Sequence, residues 1–270
     1  MPSTLSALRG GTRLAFGGSS HVAATLPLKP ASTTSTERSL HLVAGIPVRH
    51  APDAHILGEM DSDQIHAAIA QERRNIADLI DSLDDSQLAT ESLCTGWDVK
   101  TVGSHLVSGL ADGTTRAILL SWRRMNQGKA VDEMARRRVH WPAAKIAASL
   151  RDLADRQYWR PPPQPPGMLA EILCHSGDIR IPLGLPFEPD PQLTVIALDF
   201  LTGPVPIGLV KMGQNRGIRW HATDVDRTWG TGPEIRGQSA DLLMAAVGRS
   251  VTLDALDGPA LPLLRQRISG

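Results

Sequence analysis

Glu171, His175 and Asp178 stand at positions i, i+4 and i+7 of the segment GMLAEILCHSGDIRIPLGLP, residues 167–186. At about 100° per residue the three fall within roughly a 60° arc of one helix face. Leu169, Leu173 and Gly177 take the opposite side. A helix that is apolar nearly all round is a core element, and a buried carboxylate needs a compensating partner. A divalent cation satisfies a buried carboxylate and imidazole together, and zinc commonly takes nitrogen and oxygen donors. His105, in GWDVKTVGSHL, offers a second imidazole from another helix. Two histidines and one glutamate leave a fourth position open, the feature that separates a catalytic zinc site from a closed structural one. The candidate ligands are therefore His105, Glu171 and His175. The competing reading of Glu171 and His175 is a hydrogen-bonded pair or an interhelical salt bridge. For Asp178 three roles stay open: orienting a ligand histidine, binding the metal itself, or pairing with Arg180 or another arginine.

Other reactive side chains carry weaker signals. Cys174 lies about 100° around the helix from His175 and reads as a small core residue. Cys94 precedes a helix start, where a thiolate can be stabilised, but nothing around it in sequence assigns it a reaction. His66 reads as a rim histidine, and His140 and His221 have no motif around them. The run Arg136, Arg137 and Arg138 reads as a solvated face, although an arginine beside an open metal site can hold an anionic substrate.

The elements that must carry these residues follow from periodicity. DSDQIHAAIAQERRNIADLIDSLDD places Ile65, Ile69, Ile76, Leu79, Ile80 and Leu83 at helical spacing. After a polar turn, Asp98 fits the N-cap of a helix, with Trp97 and Val102 placed for a hydrophobic staple. Val99, Val102, Leu106 and Leu110 form its apolar stripe, and small residues surround His105 on the adjoining face. TTRAILLSWRRM continues or restarts that helix, with Gly128 expected to close it. Pro142 suits the first turn of a helix that turns Ile146, Leu150 and Leu153 inward. RPPPQPPG reads as a stiff extended connector to the segment carrying Glu171 and His175, which Pro182 and Gly184 end. Beyond LPFEPDP the pattern changes: a helix from Leu193 to Leu201, strands in GIRWHATD, TWG and EIRG, and a helix in QSADLLMAAVGR starting at Ser239.

The chain has 270 residues, with Lys+Arg 28 against Asp+Glu 28. The balance gives no compositional support to a nucleic-acid partner or a polybasic membrane surface. No apolar run approaches the roughly 18 residues of a spanning helix, so a soluble protein is expected. Two cysteines are too few for a disulfide framework, and a reduced, cytoplasmic setting is the default. Residues 1–59 are rich in Ser, Thr, Gly, Pro and Ala without a sustained period, and read as a disordered leader. They resemble a transit-like segment, or upstream sequence with Met60 as the natural beginning. The expected organisation is this leader, a metal-binding four-helix bundle over 60–187, and a small α+β domain over 188–270.

The blocks GWDVKTVGSHL, EILCHSGDIRIPLGLP and ATDVDRTWGTGPEIRGQSADLLMAAVGR resemble the signature blocks of the mycothiol-dependent maleylpyruvate isomerase family, common in actinobacteria. The resemblance runs from about Met60 to the C-terminus. It implies a mainly α fold, a DinB-like four-helix bundle followed by a small α+β domain. It also implies a divalent metal, usually zinc, on His105, Glu171 and His175, and mycothiol as cosubstrate. The expected function is that of a metal- and mycothiol-dependent isomerase or thiol transferase acting on a small electrophile. One alternative is a non-catalytic module in which the ion ties two helices together or senses metal or thiol status. Another is a metal-free helical interaction protein, which requires His105 to point away from Glu171 and His175.

Overall fold

The computed structural model describes residues 60–124, 127–157, 165–204 and 209–270; of 114–124 and 127 it describes the backbone alone. The expected leader and most of the proline-rich connector lie outside these residues. Helix α1 (Ser62–Ser82) opens on a capping box, in which Asp61 accepts from the Gln64 N–H and the Gln64 side chain accepts from the Asp61 N–H. Its Ile65, Ile69, Ile76 and Ile80 are buried, while Leu79 and Leu83 are only partly so. The polar turn expected next contains one helical turn, α2 (Asp85–Leu88), capped by Asp84. Asp98 caps α3 (Val99–Arg124) as its spacing predicts, its side chain accepting from the Thr101 N–H at 2.7 Å. The apolar stripe Val99, Val102, Leu106 and Leu110 is buried.

TTRAILLSWRRM continues α3 past a break at Gly113, whose φ is 69°. Gly128 does not close this helix: it sits in the first turn of α4 (Gln127–Arg136), which folds back along α3. Helix α5 (Ala143–Asp152) starts after Pro142 and buries Ile146 and Leu150, with Leu153 partly buried at its end. Helix α6 (Pro165–Arg180) is buried at every position from Met168 to Ile179 except Glu171. Its nearly continuous apolar surface is the reason: α1 and α3 cover one side, and α7 (Pro191–Leu201) and α8 (Ser239–Ala246) cover the other. Helices α1, α3, α5 and α6 form the bundle, α5 and α6 each packing against both α1 and α3.

The remainder is the α+β part. Strands β1 (Arg219–Ala222), β2 (Arg227–Trp229) and β3 (Glu234–Gly237) form a sheet in the order β2-β1-β3. β1 pairs antiparallel with β2, setting Trp220 opposite Trp229, and parallel with β3. Helix α8 packs on the sheet, and a helical turn at Ser250–Ala255 and α9 (Leu261–Ser269) complete the chain. The fold is thus mainly helical, a DinB-like bundle with a small α+β part, as expected. Buried residues of both parts belong to one hydrophobic core. No helix of the described residues is long and apolar enough to cross a membrane.

Candidate metal centre

The side chains of His105 on α3 and of Glu171 and His175 on α6 converge. One ligand atom from each lies within 4.8 Å of the others, and His105 Nε2 stands 3.7 Å from Glu171 Oε1. Around a tetrahedral ion with bonds of about 2.0–2.1 Å, neighbouring donors are roughly 3.3–3.4 Å apart. The pair therefore needs only a few tenths of an ångström of closure. The two imidazole rings meet edge to face with centroids 5.0 Å apart, and the Trp97 ring supports His105 from another side at 5.1 Å. His105 and Glu171 side chains each keep 15% exposure, enough to face a cavity yet largely screened from bulk water. The nitrogen, nitrogen, oxygen donor set suits zinc and neighbouring divalent ions.

Asp178 lies one turn beyond His175 and is completely buried. Its Oδ2 is 3.0 Å from His175 Nδ1, which leaves Nε2 as the nitrogen available to a cation. The arginine that pairs with Asp178 is Arg249, not Arg180, which instead bonds to Ser176 Oγ at 3.2 Å. Arg249 donates from Nε to Oδ1 at 2.7 Å and from Nη2 to Oδ2 at 2.9 Å. Burial opposes ionisation of Asp178, but the bonds from Arg249 and His175 outweigh it and hold the carboxyl well below the usual range. Burial likewise works against a charged His175, yet its bonds to Asp178 and Cys94 hold its pKa up, at about 10. A cation on Nε2 would displace that second proton, so metal and proton compete for one nitrogen.

Local sequence explains how Arg249 arrives there. Helix α8 ends in a Schellman motif: the Gly248 N–H bonds to the Ala245 C=O and the Arg249 N–H to the Met244 C=O, both at 3.0 Å. Gly248 has φ 85°, which a side chain would strain, and the reversal aims Arg249 at α6.

Cys94 enters the site from the turn before α3. Gly96, at φ 77°, closes this turn, whose Trp97 N–H bonds to the Cys94 C=O at 2.9 Å. The Leu93 N–H bonds to the backbone C=O of Asp178 at 3.2 Å, pinning the turn to α6. Cys94 Sγ lies 3.0 Å from Asp178 Oδ2, 3.4 Å from Arg249 Nη2 and 3.8 Å from His175 Nδ1. Cys94, His175 and Asp178 thus make a second group with metal-ligand spacing. The guanidinium of Arg249 already supplies positive charge there, and a metal would face a fixed cation at close range. Cys174 is buried as expected, and burial pushes its thiol up.

His105, Glu171 and His175, and from the second group Cys94, border a cavity of about 380 Å³, within the usual range for small-molecule pockets. Its wall also includes Trp97, Val131, Asp132, Leu209 and Val247. Asp132 of α4 accepts from Trp97 Nε1 and Arg136 Nε, each at 2.9 Å, fastening α4 over this side. The expected solvated arginine face divides: Arg136 and Arg137 are exposed, while Arg138 is paired with Asp112 at 2.7 Å and half-buried. His66 is half-buried, His140 is exposed, and His221 lies near Asp226 and Glu234, away from the cavity. Sequence reasoning missed Arg249, although glycine closing a helix and followed by arginine was a readable signal. It also left Cys94 without a role, because its partners are 81 to 155 residues away.

The mainly helical, DinB-like bundle thus brings two histidines and one carboxylate together beside an open cavity. Residues 69–178 match the family described as the mycothiol maleylpyruvate isomerase N-terminal domain. A solved structure of the mycothiol-dependent maleylpyruvate isomerase, carrying one histidine-to-alanine substitution, superimposes with a TM-score of 0.53 at 10% identity. The comparison covers 74% of this chain and 94% of that one. Another structure of the same isomerase gives 0.48 at the same identity and coverage. No curated protein matches the sequence.

Proposed function

We propose that this protein is a metal-dependent enzyme that uses mycothiol as cosubstrate and acts as an isomerase or S-transferase on a small electrophile. The convergence of His105, Glu171 and His175 at the wall of an open cavity carries the proposal. The three side chains would hold a divalent cation, most suitably zinc. When bound, such an ion lowers the pKa of a coordinated thiol or water into the neutral range. Asp178 fixes the His175 ring by accepting from Nδ1, and Arg249 keeps Asp178 ionised and immobile. Trp97 limits the tilt of His105 and, with Val131, Leu209 and Val247, offers an apolar wall to the substrate. A thiolate adding to an activated cis double bond turns it into a single bond. Rotation and departure of the same thiolate give the trans isomer, and retention of the adduct is transfer.

The non-catalytic alternative needs a fourth protein ligand to close the coordination sphere. Asp178 was the candidate, and its two oxygens are taken by Arg249 and His175. The test combines metal analysis with turnover. Purified protein should hold one divalent ion per chain, lost in His105→Ala and Glu171→Ala. With mycothiol and a panel of cis-configured unsaturated acids, it should form isomer or adduct well above the His175→Ala rate. Stoichiometric metal with no thiol chemistry on any electrophile would leave the metal module as the better account.

A further inference from the structure

We infer that Asp132 of α4 is a positioning residue for the metal centre: it holds the Trp97 indole, and the indole in turn sets the His105 ring. The inference rests on the reading of His105, Glu171 and His175 as metal ligands. His105 lies between two rings, with the His175 centroid 5.0 Å away and the Trp97 centroid 5.1 Å away, both at the spacing of packed aromatic pairs. His175 is fixed by its bond to Asp178, so the orientation of His105 depends on whether Trp97 is fixed as well. Trp97 is only half-buried and follows the turn at Gly96, where packing alone leaves an indole more than one rotamer.

A closed loop of bonds removes that freedom. Trp97 Nε1 and Arg136 Nε both donate to Asp132 Oδ1 at 2.9 Å, and Arg136 Nη2 returns to the C=O of Gly96, the residue before Trp97, at 2.9 Å. One turn of α4 therefore grips the indole and the backbone it hangs from. A separate contact registers the same stretch of α4 against α3: Ser104 Oγ, one residue before His105, donates to the Ala135 C=O at 2.5 Å in a buried place. Asp132 also lines the cavity beside Val131, so the docking of α4 shapes pocket and metal centre together. The Asp132 and Arg136 side chains are 46% and 51% exposed, and an ion pair so exposed adds little to stability. What Asp132 supplies is direction, and its removal should leave the fold standing.

The experiment loads the full chain with cobalt(II) and reads affinity by competition with a chromogenic chelator, and ligand geometry by the visible absorption of the bound ion. Asp132→Ala should bind cobalt about tenfold more weakly than the parent, the lower end of what loss of a group that orients a metal ligand costs, and with altered visible bands. Asp132→Asn keeps an oxygen that can accept from Trp97 Nε1, and should stay within about twofold of the parent with its bands unchanged. Trp97→Phe keeps a ring against His105 without the donor, breaks the same bond without touching α4, and should lose about as much as Asp132→Ala. The double variant Asp132→Ala with Trp97→Phe should bind within about twofold of either single variant, because both changes remove one interaction. A merely structural Asp132 would lower the urea midpoint and leave the bands of the loaded chain in place. If Asp132→Ala matches the parent in affinity and bands, if Asp132→Asn loses as much as Asp132→Ala, or if the two single losses are additive in the double variant, the positioning role is refuted, while a parent that holds cobalt keeps the metal centre standing. A parent that binds no cobalt overturns metal centre and positioning role together.

Discussion

His175 presents its two ring nitrogens to two different neighbourhoods, and the division decides what the ring can do. Nδ1 faces Asp178, and Nε2 is left for the group formed with His105 and Glu171. Asp178→Asn keeps the shape but removes the charge that fixes this tautomer, and is expected to lower metal affinity about 10–100-fold, measurable by competition with a chromogenic chelator. Glu171 and His175 were legible because one helix carries both, and a fixed period of 3.6 residues places them on one face from sequence alone. His105 was legible as a candidate only because Asp98 fixes the start of its helix, and with it the phase of that face. The roles of Cys94 and Arg249 were not, since each depends on how separate elements dock, which local periodicity does not encode.

At the scale of elements, the junction of α6 with the end of α8 holds the site together. Asp178 is fully buried and the Arg249 side chain is 24% exposed, so their two bonds form in a poorly solvated place. Removing one partner from such a pair leaves an uncompensated charge. Arg249→Met is therefore expected to destabilise the fold by about 3–5 kcal/mol in urea unfolding. The double variant Asp178→Asn with Arg249→Met should lose less than the sum of the single losses by more than about 1 kcal/mol, as expected of groups in direct contact. Helices with strong caps and clean stripes, such as α1 and α3, matched their sequence patterns closely. The closure expected at Gly128 failed because α4 already begins at Gln127, so a residue that usually ends helices lies in the first turn of one.

For the molecule as a whole, ligand binding and proton binding both become stability. An ion held only by the folded state, at a free concentration about 1,000 times its Kd, adds about 4 kcal/mol. For a chain of this size that corresponds to a rise in Tm of roughly 8–16 °C. A chelator should remove that rise in the unsubstituted protein and change nothing in His105→Ala, read by differential scanning calorimetry. Glu72 supplies an independent pH signature. Burial raises its pKa above 4.5, against the opposing bond from Asn75 and the charge of Arg180. The folded state thus holds this proton more tightly than the unfolded chain, and the stabilisation is lost as pH rises above that range. Glu72→Gln should therefore be more stable than the parent at pH 7 and nearly equal to it at pH 4, in urea titrations at the two pH values.

The partner of Asp178 lies 71 residues further along the chain. A nascent polypeptide has already synthesised α6 while Arg249 is still unmade or inside the ribosome's exit tunnel. Until that guanidinium emerges, seating α6 in its native place would bury a carboxylate lacking its strongest partner. The pocket beside α6 is consequently complete only after the segment carrying Arg249 has followed α6 out of the ribosome.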